Sequence, residues 1–326
     1  MLNPNLVEIE NQNALIEQWQ KFGRVEKLSE VQADDRTLPI YGLTLGPDDR
    51  SLPTFGIFAG VHGLERVGSH VAINFLTPLL SQLAWDETLQ ETFRHMRLVA
   101  IPIVNPGGMY LNSRSNPRGV DIMRNAPVEA HGDLKPLVSG HRISPRLPWY
   151  RGKAGAEMEV ETRTLIDFLK REMLPSRFSM ALDVHSGFGM RDRLWFPYSR
   201  SRENFPYRAQ VNRVSELLAG AYPHHVYIVE PQHQSYLLHG DPWDFIFDEH
   251  QKNFASDGRI FIPWCLEMGS WSWLKKNPMQ LFTRHGIFNP ILPHRYRRIM
   301  RRHRPLLDFF KQATLNHSVW RDRGNS

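Results

Sequence analysis

The chain is nearly devoid of cysteine. Its one thiol, Cys265, permits no intrachain disulfide and excludes a cysteine-rich metal site. Long apolar runs are also missing, and no uninterrupted stretch has membrane-spanning length. The N-terminus, MLNPNLVEIENQNALIEQW, has no basic region followed by an apolar run, so it does not read as a signal peptide. The expected location is the cytoplasm, with no membrane partner. No internal repeat or low-complexity tract stands out. Acidic excess is absent as well. The net charge is +6 (40 basic less 34 acidic residues), which permits attraction to acidic partners without establishing it.

What is present reads as an ordinary globular chain. Hydrophobic residues make up 41% and charged residues 23%, and 326 residues suffice for a substantial core. Apolar segments alternate with helical patterns. Residues 54–61 (TFGIFAGV) predict a buried strand, and 65–80 the helix after it. A second buried strand, 97–104, runs into the turn signal NPGG. Residues 105–157 are rich in Pro, Gly, Arg and Asn. That is too long for a plain connection, so a functional surface region is expected there. An amphipathic helix follows at 157–174, then a strand at 178–186. QVNRVSELLAGAY reads as a helix, HVYIVE as a strand, 259–269 as another buried strand, and 294–313 as the last long helix. The alternation predicts an α/β fold, with a largely parallel or mixed sheet covered by helices on both faces.

Three motifs carry the chemistry. In AGVHGLE, His62 and Glu65 flank a tight strand-to-helix turn, and the glycine between them lets both side chains converge. Imidazole and carboxylate are ordinary zinc ligands. Of the 15 histidines, only His62 is followed by Glu three positions later. Taken alone, the pair reads better as a turn histidine beside a helix-start glutamate. In ALDVHSGFG, His185 follows an apolar strand, where ligands gather in open α/β sheets. Alone it reads as a satisfied core histidine. In IPWCLEMGS, Glu267 interrupts an apolar strand, which is costly unless the carboxylate is paired, at the strand end or near a metal. The functional reading is a general base acting on water. Three ligands with one open position is the expected catalytic zinc arrangement. The joint placement of His, Glu, His and Glu after three strands is much harder to obtain by accident than any one motif.

The order HGLE (62–65), NPGG (105–108), RSNPRGVDIMRN (114–125), DVHSG (183–187) and CLEMG (265–269) resembles the zinc carboxypeptidase superfamily, over about residues 40 to 315. The resemblance implies a single catalytic domain over 1–326, with a mixed sheet of about eight strands and the metal at strand ends. It implies one Zn2+ ion held by His62, Glu65 and His185, with Glu267 as base. Asp121 would orient a ligand histidine. Arg114 would polarise the scissile carbonyl. Arg124 and Asn125 would bind substrate, Arg124 through its terminal carboxylate. Two departures stand out. Met123 replaces an asparagine that helps grip that carboxylate, and a thioether cannot reproduce its hydrogen bonds. In GDPWDFIFDEH (240–250), Phe247 aligns with the family's mobile tyrosine, with Tyr236 as an alternative source.

The substrate expected is a peptide or an N-acyl amino acid. An N-acyl amino acid deacylase of the succinylglutamate desuccinylase and aspartoacylase type is the alternative enzyme. Its usual extra C-terminal β domain is replaced here by a basic helix. A non-catalytic binding protein on the same fold is the remaining alternative. HRYRRIMRRHRP (294–305) holds six arginines, but it reads as the solvated face of an amphipathic helix with Tyr296, Ile299, Met300 and Leu306 inward. No nucleic-acid partner is expected. Trp271 and Trp273 could line a specificity pocket but read more simply as packing, and Cys265 reads as a small core residue.

Overall fold

The computed structural model describes residues 6–283 and 286–322. In chain order its elements are α1 (Val7–Trp19), β1 (Arg24–Ala33), β2 (Arg36–Leu45), β3 (Thr54–Ala59), α2 (Arg66–Leu83), α3 (Glu87–His95), β4 (Arg97–Ile101), α4 (Pro106–Tyr110), α5 (Val160–Glu172), β5 (Phe178–Ser186), β6 (Arg193–Phe196), α6 (Arg208–Ala221), β7 (Ile228–Pro231), α7 (Pro242–Phe254), β8 (Ile260–Met268), α8 (Trp271–Lys276), α9 (Pro293–Leu315) and α10 (His317–Trp320). The strands form one eight-stranded sheet in the order β1-β2-β4-β3-β5-β8-β6-β7. Its centre, β4-β3-β5-β8, is parallel, and antiparallel pairs flank it at β2-β4 and β8-β6.

Every residue of β3, β4 and β5 is buried. This is why they read as apolar runs rather than as alternating strands. The two faces separate cleanly at β3. Phe55 stacks on Phe310 of α9, while Phe58 points the other way, edge-on to Phe168 of α5 and Trp243 of α7. Helices therefore cover both faces, as the patterning predicted. The strand predicted at 97–104 is shorter than expected, because its last residues leave the sheet to become the loop before α4.

The β1-β2 hairpin has no counterpart among the predicted elements. β1 is an edge strand with exposed charged residues and a register shift between Lys27 and Ser29, and Pro39 sits in β2. The basic helix α9 buries Ile299, Leu306, Leu307 and Phe310 and exposes Arg297, Arg298 and Arg301. No described helix is long and apolar enough to cross a membrane.

Candidate active site

The turn after β3 is built by close backbone approach. A side chain at Gly63 would place its first carbon 2.0 Å from the carbonyl carbon of Gly108, so only glycine fits. Asn105 fastens the two loops together. Its Oδ1 accepts the Gly108 N–H at 2.7 Å, and its Nδ2 donates to the Val61 carbonyl at 3.2 Å. Asn289 does the same from the opposite side, accepting from Val67 N–H at 2.9 Å and donating to the Leu64 carbonyl at 2.7 Å. His62 and Glu65 are thus fixed at the start of α2 by residues distant in sequence.

The next two side chains arrive on neighbouring parallel strands. His185 of β5 stands in register with Glu267 of β8, and Asp183 with Cys265. Successive residues of a strand alternate faces, so Asp183 and His185 share one face. Asp183 Oδ2 lies 2.7 Å from His185 Nε2 and accepts from Trp243 Nε1 at 2.7 Å. The other ring nitrogen of His185 is 3.2 Å from Glu65 Oε2, which also accepts the Ser186 N–H at 2.9 Å. Donor atoms of His62, Glu65 and His185 all lie within 4.8 Å of one another, and all three residues are buried. Glu267 is buried beside them, with one oxygen accepting the Phe188 N–H at 3.0 Å.

Burial sets the electrostatics. It opposes charge on His185, but Asp183 and Glu65 outweigh it and hold the imidazole well above its ordinary pKa. His62 is pushed down to about 3 by burial and by the neighbouring Arg114, so it is neutral. Burial, followed by the charge of Glu65, pushes Glu267 up to about 8. That places a carboxyl where proton exchange near neutrality is feasible.

Arg114 donates through Nε to Asp121 Oδ2 at 2.9 Å, and its terminal nitrogens reach His62 Nε2 at 2.8 Å and Glu65 Oε1 at 3.3 Å. Arg124 is buried, donating to Asp121 Oδ2 at 3.1 Å and to the Val138 carbonyl at 3.0 Å. Asp121 is therefore a shared anchor for both arginines. It stands 3.7 Å from His62 Nδ1, beyond hydrogen-bond reach, whereas the carboxylate bonded to a candidate ligand histidine in this way is Asp183. Sequence reasoning passed over Asp183, although the i, i+2 spacing in DVH placed it on the same face as His185.

His62, Glu65, Arg114, Arg124, His185 and Glu267 line a cavity of about 580 Å³. Met123 reaches it where the amide was expected, offering apolar surface. Asn125 does not line it. Its amide donates to the Arg151 carbonyl at 3.0 Å and accepts the Glu159 N–H at 2.6 Å, holding loops together. Phe247 is buried in the core against Tyr198, Phe205 and Tyr207 and does not line the cavity. Tyr236 does line it, among Phe188 and Trp195. Burial raises its phenol well above the ordinary value, so the O–H keeps its proton. Trp271 joins the same wall, with its ring N–H on the Gly187 carbonyl at 2.8 Å. The region 105–157 supplies Arg114, Met123, Arg124, Lys135, Val138, Pro148 and Trp149 to the lining.

The donors fit a metal ion. Two imidazoles and a carboxylate converge, and His62 Nδ1 is buried with no hydrogen-bond partner. Such a donor set, with a buried glutamate alongside, belongs to the metal-dependent hydrolases. The profile of the zinc carboxypeptidase family matches residues 31–257, and the chain belongs to that family. It is accordingly a zinc metallopeptidase.

Solved structures show the same fold at low identity. Bovine thrombin-activatable fibrinolysis inhibitor, in complex with tick carboxypeptidase inhibitor, is 18% identical with a TM-score of 0.66, covering 98% of this chain and 97% of that one. Carboxypeptidase A from Helicoverpa armigera is 16% identical with a TM-score of 0.67, covering 96% and 73%. The metallo-carboxypeptidase from Pseudomonas aeruginosa, in complex with (2-guanidinoethylmercapto)succinic acid, is 16% identical with a TM-score of 0.57, covering 94% and 69%.

Proposed function

We propose that the chain hydrolyses a peptide bond close to a carboxylate of its substrate, with Glu267 as general base and His62, Glu65 and His185 holding one zinc ion. The observation that carries this reading is the convergence of those three donors beside a buried glutamate in register with one of them. Zinc at these residues supplies Lewis acidity, acidifying water and polarising a carbonyl.

The chain's own groups do the rest. Glu267 takes the proton of the attacking water and returns it to the leaving amine. The Phe188 N–H fixes one of its oxygens, which leaves the other for proton transfer. Arg114, held in plane by Asp121, donates to the carbonyl oxygen as negative charge develops there. Arg124, fixed at two points, binds the substrate carboxylate. Tyr236 offers a protonated hydroxyl as a further donor in the same cavity. With Met123 where an amide was expected, the carboxylate is gripped by fewer donors.

The test is Glu267→Gln, assayed with zinc on free-C-terminal peptides and, in parallel, on N-acyl amino acids. Zinc should be retained and kcat should fall by about 10²- to 10⁴-fold, the range for loss of a general base. Undiminished turnover in that variant would remove the base assignment. Faster hydrolysis of N-acyl amino acids than of peptides would overturn the substrate assignment.

A further inference from the structure

We infer that the ion pair between Asp192 and Arg302 is a positioning device for Glu267; this rests on the reading of Glu267 as base. The loop between β5 and β6, residues 187–192, is bonded at four points to the chain around the end of β8. Phe188 N–H donates to Glu267 at 3.0 Å, Gly269 N–H to Asp192 Oδ1 at 2.9 Å, Trp271 N–H to the Gly189 carbonyl at 3.0 Å, and the Trp271 ring N–H to the Gly187 carbonyl at 2.8 Å. The two segments lie against each other at Gly269, where an added side-chain carbon would stand 2.5 Å from the backbone of Arg191. They therefore shift together or not at all.

Beside Glu267 itself, the lacing holds a second acidic side chain, Asp192, and it is buried. Arg302 of α9 donates to its Oδ2 at 3.0 Å. His303 does not share that task. Its Nε2 is 3.8 Å away, Tyr227 Oη stands 2.9 Å from its Nδ1, and burial pushes its pKa down to about 4, leaving it neutral. Arg302 is thus the cation paired with the Asp192 carboxylate. α9 is a firm base for it, since Ile299, Leu306, Leu307 and Phe310 are buried.

Removing the guanidinium leaves a buried carboxylate without its cation, and the local structure relaxes to reach water. The loop then carries the Phe188 N–H away from Glu267. Because a general base must stand within hydrogen-bond reach, a misplacement of about 1 Å can cost about 10²-fold in rate. The zinc ligands and the substrate-binding Arg124 lie on other segments and are spared, while Gly187, Phe188 and Trp271 of the cavity wall move with the loop.

The experiment compares Arg302→Ala, Arg302→Lys and Asp192→Asn with the wild-type zinc enzyme. It measures kcat, KM, zinc content and amide exchange over residues 187–192 and 269–271. For Arg302→Ala, kcat should fall about 10-fold or more with KM within about twofold. Zinc should stay stoichiometric, and the Phe188 and Gly269 amides should exchange about 10-fold faster. Arg302→Lys should recover most of both effects. Asp192→Asn, which keeps an oxygen for Gly269 but loses the charge, should fall between; it also serves if the alanine variant does not fold. Unchanged kcat, unchanged amide exchange, or a loss of kcat matched by loss of zinc would overturn the inference. Full activity in Glu267→Gln would instead remove the base reading beneath it, and the exchange data are independent of that result.

Discussion

Ser199 sits between two buried acids, and this geometry dictates a proton count. Its Oγ is 2.8 Å from Asp241 Oδ2 and 2.9 Å from Asp244 Oδ2. One hydroxyl has one hydrogen, so it can donate to only one of them. The other acid must bring its own proton or face a lone pair across the gap. Burial pushes both acids up, and the charge of Asp241 carries Asp244 further, to about 8. The native pair therefore holds a proton that the unfolded chain releases above the ordinary Asp pKa of about 3.9. The sign follows from linkage. The native state binds more protons between about 4 and about 8, so unfolding free energy falls as pH rises through that window, by about 1.4 kcal/mol per pH unit for one proton. Asp244→Asn removes the titration. The amide oxygen can still accept from the Ser199 and Arg200 N–H groups, which lie 2.9 and 2.7 Å from Asp244 Oδ2, and from the Ser199 hydroxyl at the same oxygen. Urea unfolding of both zinc-loaded proteins between about pH 5.5 and about pH 7.5 should show the variant gaining about 2.7 kcal/mol on the wild type, since all other titrations cancel in the difference. Parallel stability curves would refute the shared proton.

Three further outcomes are expected. Asp183→Asn keeps an acceptor for His185 or Trp243 but loses the charge, and zinc affinity by chelator competition should fall about 10- to 100-fold; wild-type affinity would show that Asp183 does not tune the ligand. Gly63→Ala drives a side-chain carbon into the Gly108 backbone, which cannot swing aside as a side chain would, so about 3 kcal/mol of stability should be lost in denaturant melts, with weakened zinc binding. Tyr236→Phe keeps the ring against Phe188 and Trp195 but removes the hydroxyl, so kcat/KM for peptides should fall about 10-fold with stability within about 1 kcal/mol of wild type; an unchanged kcat/KM would place the hydroxyl outside the reaction.

The central strands and the ligand motifs were legible because they depend on local pattern. β5 and β8 are apolar runs ending in a histidine and a glutamate, and buried parallel strands look like that wherever they occur. What was not legible depends on distance or on weak amphipathicity. β6 is four residues long, too short for a periodic signal. Asn289 braces the turn at Leu64 from 225 residues away. The assignment of Phe247 to the cavity could have been checked from sequence, since Trp243, Ile246, Phe247 and His250 fall at helical spacing and form the buried stripe of α7. Asp121 shows the opposite limit. Motif order placed it near the site, but only coordinates show that Oδ2 goes to both arginines and Oδ1 accepts the Met123 N–H.

Both glutamates of the site are steadied by main-chain donors two residues apart, Ser186 N–H at the end of β5 for Glu65 and Phe188 N–H in the loop after it for Glu267. A main-chain donor survives nearly any replacement of the side chain above it; only proline deletes it. Position 188 can therefore exchange its aromatic ring for another group, reshaping the cavity wall, while the hold on the base carries over unchanged. Substrate preference and hydrolytic competence are written in different parts of the same residue, so selection can alter the first over many generations without risking the second.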